Sequence, residues 1–241
     1  MDLGLKDRAV LVTGATGGIG AAVCRAFAAE GARVTVAYHS SADHAAALAR
    51  EIDGTVVRYA LEEPDTIAAA VQDVDVLVAN AVRWGRRRTP GTRFEDVPTD
   101  EWQPFVAANI APVLETVQRA VPGMRANGWG RIALVSSHVA TDGHRGQDFY
   151  AAAKSALHGF ARSLAWDVGP DGILVNVVSP GLTATARVLS GLPVPVRDGE
   201  IGRTPTGRLS TPEDVANAIV FLCSAANGNV TGETVTVAGG R

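Results

Sequence analysis

A tyrosine and a lysine four residues apart could together exchange a proton with a bound molecule. Tyr150 and Lys154 stand in the segment Tyr-Ala-Ala-Ala-Lys, and residues with this spacing share one face of a helix. A free tyrosine has a pKa of about 10, and a neighbouring ammonium favours the phenolate, so the pair could act as acid and base near neutral pH. Lys154 is also one of only two lysines in the chain. Such a pair is also common on exposed helix surfaces without any function, so other residues must support a chemical role.

Two further polar residues precede this pair. Ser137 follows a predicted strand, at the end where its hydroxyl would face the ligand edge of a sheet. Asn109 lies inside a predicted helix, close to Pro112, where its amide could bind freed backbone groups or hold a water. Each residue also has an ordinary interpretation, as a strand-end serine and as a helix amide that is satisfied locally.

A glycine-rich turn joins the first predicted strand to the first predicted helix. Residues 13–20 read Thr-Gly-Ala-Thr-Gly-Gly-Ile-Gly. Gly14 allows the tight turn, Gly20 lets the helix pack close to the sheet, and the missing side chains let the backbone approach a pyrophosphate. The turn predicts a dinucleotide site, and its candidate residues are Gly14, Thr16, Gly17, Gly18, Ile19 and Gly20.

Short apolar runs alternate with helical patterns along the whole chain, which predicts an α/β fold. Several strands are nearly continuous Val, Ile and Leu, as expected for strands that are buried on both faces. We predict one domain, residues 1–241, with a Rossmann-type doubly wound parallel sheet of about seven strands flanked by helices. The predicted strands are 8–13, 33–38, 55–59, 74–79, 130–135, 173–179 and 233–238. The predicted helices are 18–30, 43–52, 64–71, 99–125, 147–168 and 212–224.

The elements divide the chain by task. Residues 1–82 form mainly the dinucleotide-binding half, and the unassigned segments 83–98 and 182–210 form loops on the substrate side. Thr99 is predicted to cap the helix that follows it, and Pro112 is predicted to bend or break that helix.

Composition excludes several classes of protein. The 241 residues are 46% hydrophobic and 20% charged, with a formal net charge of -3, so a chain that coats nucleic acid or an anionic membrane is not expected. No apolar run is long enough to span a bilayer, and the first residues show no signal-peptide pattern, which predicts a cytoplasmic protein. Cys24 and Cys223 lie in apolar segments without metal-ligand spacing, so no metal is expected.

Taken in order, these elements resemble the short-chain dehydrogenase/reductase family over nearly the whole chain. The resemblance rests on the glycine turn, Asn109, Ser137, Tyr150, Lys154, Pro180-Gly181, and the segments Gly-Arg-Leu-Ser-Thr-Pro-Glu-Asp-Val-Ala (207–216) and Gly-Glu-Thr-Val-Thr-Val-Ala-Gly-Gly (232–240). It implies hydride transfer between a nicotinamide and a carbonyl or secondary alcohol. Tyr150 would donate the proton, Ser137 would bind the reacting oxygen, Lys154 would bind the nicotinamide ribose and lower the pKa of Tyr150, and Asn109 would hold a water that links Lys154 to solvent.

The same resemblance extends the candidate cofactor site beyond the glycine turn. Where relatives that use NAD have an acidic residue, this chain has Tyr38, and donors for a 2'-phosphate follow it, which predicts NADPH as the preferred cofactor with NADH possible. The serines of this segment could instead only cap the next helix. The additional candidate residues are Tyr38, His39, Ser40, Ser41, Asn80, Ala81, Tyr150, Lys154, Pro180, Gly181 and Thr183. Val82 and Ala60 replace the glycine and the acidic residue that are usual in the family.

The substrate expectation comes from an arginine-dense segment and from similarity to 3-oxoacyl and polyketide ketoreductases. Trp84 and the arginines could receive an acyl carrier protein and its phosphopantetheine arm, because arginine binds phosphate through a planar fork of donors, although such a segment can equally be a solvated face. Carrier-dependent reductases often have a basic residue at each of two positions. Arg131 is basic at one of them, whereas Asp171 is acidic at the other. The arginines are Arg83, Arg86, Arg87, Arg88 and Arg93.

The sequence is also compatible with other functions. Instead of a carrier-bound 3-oxoacyl or polyketide thioester, the substrate could be a free small ketone, sugar or secondary alcohol. A chain that binds the dinucleotide without turnover, as a sensor or scaffold, is a further alternative. A homotetramer is expected, since relatives commonly assemble through the helix that contains Ala151, Ala152, Ala153 and Ala156; these alanines could equally pack inward.

Overall fold

A computed structural model of the chain describes residues 2–85 and 87–241. Within them, seven parallel strands form one sheet in the order β3-β2-β1-β4-β5-β6-β7. The predicted α/β fold with a doubly wound parallel sheet is confirmed, and the predicted strand bounds agree to within two residues. The strands are β1 Ala9–Val12, β2 Arg33–Tyr38, β3 Thr55–Arg58, β4 Val76–Ala79, β5 Gly130–Val135, β6 Ile173–Pro180 and β7 Thr234–Val237.

Helices cover both faces of this sheet. The α-helices are α1 Gly18–Ala29, α2 Ala42–Glu51, α3 Pro64–Ala70, α4 Thr99–Ala126, α5 Val139–Asp142, α6 Asp148–Val168, α7 Ala186–Gly191, α8 Val194–Gly202 and α9 Pro212–Leu222. Short 3₁₀ helices span Phe94–Asp96 and Gly169–Asp171. None of the helices within the described residues is both long and apolar enough to cross a membrane.

Alternating strand residues fill two hydrophobic layers. In β1, Val10 and Val12 point into one layer and Leu11 points into the other, because successive side chains of a strand leave opposite faces. Helices α1 and α9 pack on the first layer, and α4 and α6 pack on the second. Since both faces of the sheet are covered, its strands are apolar throughout, as the sequence indicated.

Helix α4 differs from the prediction at its start and in its middle. Pro98, not Thr99, occupies the N-cap position, and Thr99 is the first helical residue. The helix runs through Pro112 without a break, so a break at that residue is wrong. Pro112 is itself buried with Val113 and Val117 in the second layer, and this burial offsets the loss of one backbone hydrogen bond.

The segment 182–210 is not an irregular loop. It contains α7 and α8, and the Thr185 hydroxyl caps α7 by accepting a hydrogen bond from the Val188 amide at 3.3 Å. Both helices are short and contain glycine, so their sequence pattern was too weak to predict them. Helix α5, only four residues long, was missed for the same reason.

Candidate active site

The strand order reverses between β1 and β4, and the candidate residues gather at the carboxyl ends of the strands beside that point. Asn80, directly after β4, donates its side-chain amide to the backbone oxygens of Thr13 and Gly14, at 3.1 Å each. The backbone amides of Asn80 and Ala81 both donate to the Thr13 hydroxyl at 3.0 Å. Asn80 and Ala81 therefore fix the glycine turn, which is a structural task in addition to any contact with a cofactor.

The glycine turn is shaped to hold a pyrophosphate. Gly14 has a φ of +62°, and a Cβ there would lie 2.9 Å from the Ala81 Cα. A Cβ at Gly20 would collide with the carbonyl oxygen of Gly14, and one at Gly18 would lie 2.7 Å from the Thr185 side chain. The turn leads into the amino terminus of α1, where unpaired amides and the helix dipole favour an anion. These residues fit the nicotinamide dinucleotide that the sequence implies.

The end of β2 contains a feature that the sequence did not reveal. The His39 imidazole lies 3.5 Å from the Glu62 carboxylate, which arrives from the segment after β3. A carboxylate thus stands beside the position expected for a 2'-phosphate, although residues 39–41, directly after β2, include no acidic residue. Ser41 occupies the N-cap position of α2, yet its side chain accepts no cap hydrogen bond among the described residues.

Lys154 is buried and is held by the end of β5. Its ammonium donates a hydrogen bond of 2.8 Å to the Val135 carbonyl, and only 4% of the residue is exposed. Burial lowers the pKa of Lys154 to about 8, since an ammonium loses its hydration inside the protein.

Tyr150 shares the α6 face with Lys154, and a lowering of the Tyr150 pKa by Lys154 stays a prediction. Burial raises the pKa of Tyr150, and the opposing influence is a hydrogen bond from the Ser137 hydroxyl. The Lys154 ammonium donates to the Val135 carbonyl, and among the described residues it forms no hydrogen bond with the Tyr150 hydroxyl. The phenol is therefore kept protonated, which suits a proton donor.

Asn109 holds the backbone of the segment after β4. Its side-chain nitrogen donates to the carbonyls of Phe105, at 2.9 Å, and Arg83, at 3.1 Å, and its oxygen accepts from the Arg83 amide at 3.0 Å. The ordinary interpretation of this residue, an amide that is satisfied by nearby backbone, describes these contacts. A water-holding role for Asn109 stays a prediction.

The segment after β6 follows the sheet edge as predicted. The Pro180 carbonyl accepts a hydrogen bond from the His138 amide at 2.9 Å, and the Thr183 hydroxyl donates to the Gly181 carbonyl at 3.1 Å. A Cβ at Gly181 would lie 2.8 Å from the Ala238 Cβ, so this turn requires glycine. The sequence-predicted residues of this segment therefore lie beside Ser137 at the carboxyl end of the sheet.

A stack of side chains covers Tyr150. The Trp84 indole stacks on the phenol with ring centroids 6.1 Å apart, and the Arg187 guanidinium lies 4.9 Å from the centre of the Trp84 ring. Trp84 comes from segment 83–98 and Arg187 from α7, so the contact joins the two segments that the sequence placed on the substrate side. Nothing in the local sequence of Arg187 indicated this role.

A cavity of about 900 Å³ adjoins Tyr150 and Trp84. Five aromatic side chains line it, together with charged side chains of both signs. Trp102 stacks on Phe149 with ring centroids 5.2 Å apart and nearly parallel planes. The lining includes Arg83, Trp84, Arg87, Arg88, Asp96, Asp100, Glu101, Trp102, Phe105, Phe149 and Tyr150.

The arginines of segment 83–98 are not equally free. Arg88 is held by Asp148 at 3.2 Å, and Arg93 lies 3.8 Å from Glu95. Arg83 and Arg87 are exposed on the cavity wall. Arg86 lies outside the described residues.

Neither Arg131 nor Asp171 offers a charge to a carrier. Arg131 is 5% exposed, and its guanidinium donates to backbone carbonyls that include those of Gly172 and Asn227. The expectation that Arg131 supplies a surface cation is therefore wrong, because the side chain turns inward. Asp171 forms an ion pair with Arg125.

Comparison with known proteins agrees with this arrangement. Residues 14–241 match the family described as enoyl-(acyl carrier protein) reductase. The chain is 34% identical over 249 residues to 3-oxoacyl-[acyl-carrier-protein] reductase FabG of Escherichia coli (strain K12), covering 99% of this chain and 98% of that protein. It is 34% identical over 242 residues to acetoacetyl-CoA reductase of Rhizobium meliloti (strain 1021), covering 98% of each.

A solved structure shares the fold over almost its full length. It is a 7α-hydroxysteroid dehydrogenase complexed with NADH and 7-oxo glycochenodeoxycholic acid, with a TM-score of 0.89 and 29% identity. The match covers 99% of this chain and 96% of that one. The family match over residues 14–241 and these relatives show that the chain belongs to the short-chain dehydrogenase/reductase family, oxidoreductases that act on CH–OH and C=O groups and bind NAD(P)(H).

Proposed function

We propose that this chain is an NADPH-dependent ketoreductase that reduces the 3-oxo group of a 3-oxoacyl or polyketide thioester to a hydroxyl. The observation that carries the proposal is the cavity of about 900 Å³ with Tyr150 in its wall. That volume lies near the upper end for ligand pockets and exceeds what a small ketone needs. Trp84, Trp102, Phe105 and Phe149 provide apolar surface for an acyl chain.

Each polar side chain has a defined task in this reaction. The nicotinamide, when bound, supplies the hydride that attacks the carbonyl carbon. Tyr150 donates its phenolic proton to the oxygen on which negative charge develops, and Ser137 donates a hydrogen bond to the same oxygen. Lys154 binds the nicotinamide ribose, and Asn109 holds a water through which the Lys154 ammonium and then Tyr150 regain a proton.

Cofactor choice depends on the surroundings of Tyr38 and His39. NADPH is expected to have the lower KM, because Tyr38 replaces an acidic residue and His39 offers a donor to the 2'-phosphate. Glu62 opposes this preference by its negative charge beside His39. Glu62→Gln should therefore lower the KM for NADPH about threefold to tenfold without changing the KM for NADH, as expected for a charge pair several ångströms apart in a wet site. Steady-state kinetics with both cofactors measures this.

Glu51→Gln is the matched control for that variant. The Glu51 carboxylate lies at the end of α2 and is held by Arg25 at 2.6 Å, so its replacement should leave the two cofactors in their original ratio. A wild-type protein with a lower KM for NADH than for NADPH would reject the cofactor proposal.

The substrate proposal is tested with the arginines of segment 83–98. A carrier-bound 3-oxoacyl thioester should react with a higher kcat/KM than its N-acetylcysteamine analogue, since exposed arginines attract the phosphate and the acidic carrier. Changing Arg86, Arg87 and Arg88 to alanine should reduce that preference about tenfold, because about 1.4 kcal/mol of charge attraction corresponds to that factor. Since Arg88 also holds Asp148 at the start of α6, the preference is measured as the ratio of the two kcat/KM values within each variant.

A second triple variant controls for the loss of charge. Arg25, Arg33 and Arg50 do not line the cavity, so their replacement by alanine removes three cations at a distance from Tyr150. The carrier preference should survive in that protein. An unchanged preference in the first triple variant would show that the arginines are only a solvated face.

The runner-up is the reduction of free small ketones or sugars, or the oxidation of secondary alcohols. Asp96, Asp100 and Glu101 favour it, because their carboxylates at the same cavity repel an acidic carrier. The structural relative whose complex contains a free 7-oxo bile acid also supports it. Equal or higher kcat/KM for the N-acetylcysteamine form in the carrier experiment would select this alternative.

A homotetramer assembled through α6 is also part of the proposal. Ala152 and Gly159 are exposed on α6 and leave room for the close approach of a second helix. Ala153 is fully buried, so it belongs to the inward face, contrary to the expectation that grouped it with the outer alanines. Ala151 and Ala156 are half-buried.

A further inference from the structure

A buried serine, Ser136, and a half-buried histidine, His158, form a pair beside Lys154. The Ser136 hydroxyl lies 2.8 Å from His158 Nε2 and 3.1 Å from the backbone carbonyl oxygen of Lys154. Ser136 is 4% exposed, follows β5 directly, and stands between Val135 and Ser137. Neither Ser136 nor His158 lines the cavity.

The hydrogen-bond donors in this pair can be assigned. Ser136 has one hydroxyl proton and donates it to the Lys154 carbonyl, so His158 must carry a proton on Nε2 and donate it to the Ser136 oxygen. Burial and the nearby Arg162 both lower the pKa of His158, which favours the neutral imidazole. The neutral Nε2–H tautomer satisfies the whole arrangement.

Three consecutive residues at the end of β5 thus engage the site on α6. The Val135 carbonyl binds the Lys154 ammonium at 2.8 Å, Ser136 binds the α6 backbone and His158, and the Ser137 hydroxyl acts on Tyr150. A small shift of α6 along β5 would alter all of these contacts together.

We propose that the Ser136–His158 pair is a positioning device that holds α6 against β5, so that Tyr150 and Lys154 keep their places relative to Ser137. The inference rests on the proposed roles of those three residues. Ser136 and His158 act through them and touch neither the substrate nor the nucleotide.

Ser179 provides a matched control for Ser136. The register pairs Val135 with Val178, so Ser136 and Ser179 are neighbours on adjacent strands, with side chains on the same face of the sheet. Ser179 is fully buried, and its hydroxyl has no hydrogen-bond partner among the residues that the structure describes. Ser179→Ala therefore removes the same group as Ser136→Ala without removing a contact.

The kinetic test measures ketone-dependent oxidation of NADPH. Ser136→Ala and His158→Leu should each lower kcat about tenfold and leave the KM for NADPH within about twofold, as a misplaced proton donor would. His158→Gln should restore most of kcat, since a glutamine side-chain nitrogen can donate at the position of Nε2. The double variant should be no slower than Ser136→Ala alone, because that change already removes the contact that His158→Leu removes.

A spectroscopic test does not require turnover. The chain has three tyrosines, so ¹³Cζ-labelled tyrosine gives three NMR signals, and Tyr150→Phe identifies one of them. His158→Leu should shift the Tyr150 signal and leave those of Tyr38 and Tyr59 in place.

Two results would overturn the inference. One is an unchanged Tyr150 signal in His158→Leu, with or without normal kcat. The other is a loss in Ser179→Ala equal to that in Ser136→Ala, which would indicate a general effect of changing the core. A wild-type protein that reduces no ketone would contradict the proposed function, and the NMR signals would still decide the role of the pair.

Discussion

Tyr150→Phe should lower kcat for ketone reduction by a factor of about a thousand, in keeping with the size of general acid catalysis, and leave NADPH binding within about twofold. The substitution removes a single hydroxyl and keeps the ring that stacks on Trp84 at 6.1 Å. Packing around the site is therefore preserved, and only the proton donor is lost. Stopped-flow kinetics gives kcat, and quenching of tryptophan fluorescence gives the dissociation constant of NADPH.

Tyr59→Phe is the matched control for this variant. Tyr59 is also buried, but its hydroxyl bonds to Thr116 at 2.7 Å in the hydrophobic layer between the sheet and α4. Loss of that contact should cost stability of about 1 kcal/mol and leave kcat nearly unchanged. If Tyr150→Phe kept more than about a tenth of wild-type activity, the proposed mechanism would be wrong.

Lys154→Met should make the protein more stable at pH 7 while it loses turnover and NADPH affinity. Burial lowers the pKa of Lys154 to about 8, from 10.5 for a free side chain, so the unfolded chain binds this proton more tightly than the native protein. Below pH 8 both states carry the proton, and the native state bears the full cost of about 3 kcal/mol, at 1.36 kcal/mol for each pKa unit. Lys154→Met removes this cost but also removes the hydrogen bond to Val135, which lowers the net gain in stability by about 1 kcal/mol.

The pH dependence distinguishes this effect from simple hydrophobic packing. Between the folded and unfolded pKa values the native protein releases the proton first, so wild-type stability rises with pH and the advantage of Lys154→Met shrinks. Urea unfolding at pH 7 and at pH 10 measures the difference in free energy. Lys6→Met, at the other lysine of the chain and on the surface, should change neither value. If the free energy of unfolding of Lys154→Met exceeded that of the wild type by the same amount at pH 7 and pH 10, the explanation would be contradicted.

Much of the fold could be predicted from the sequence. Runs of Val, Ile and Leu marked the strands because parallel strands between two layers of helices are buried on both faces. The glycine turn was recognisable because close backbone approach requires missing side chains, as at Gly14 and Gly20. Tyr150 and Lys154 were found together because the period of a helix determines which residues share a face.

Other features depend on residues that are distant in the chain. Glu62 beside His39, Arg187 over Trp84, and His158 against Ser136 have no local signal, because each pair meets only after the strands and helices have packed. Arg131 looked like a surface cation, yet carbonyls from other segments receive its guanidinium inside the protein.

The sequence alone determined the family fold, the dinucleotide turn and the shared face of Tyr150 and Lys154, since these follow from local periodicity and from the conformational freedom of glycine. Tertiary structure decided the electrostatics of the site. Lys154 is buried against the Val135 carbonyl, and Tyr150 is kept protonated by burial. Both effects arise because these groups lose hydration and meet polar atoms of other segments, and neither happens until the strands and helices have packed together.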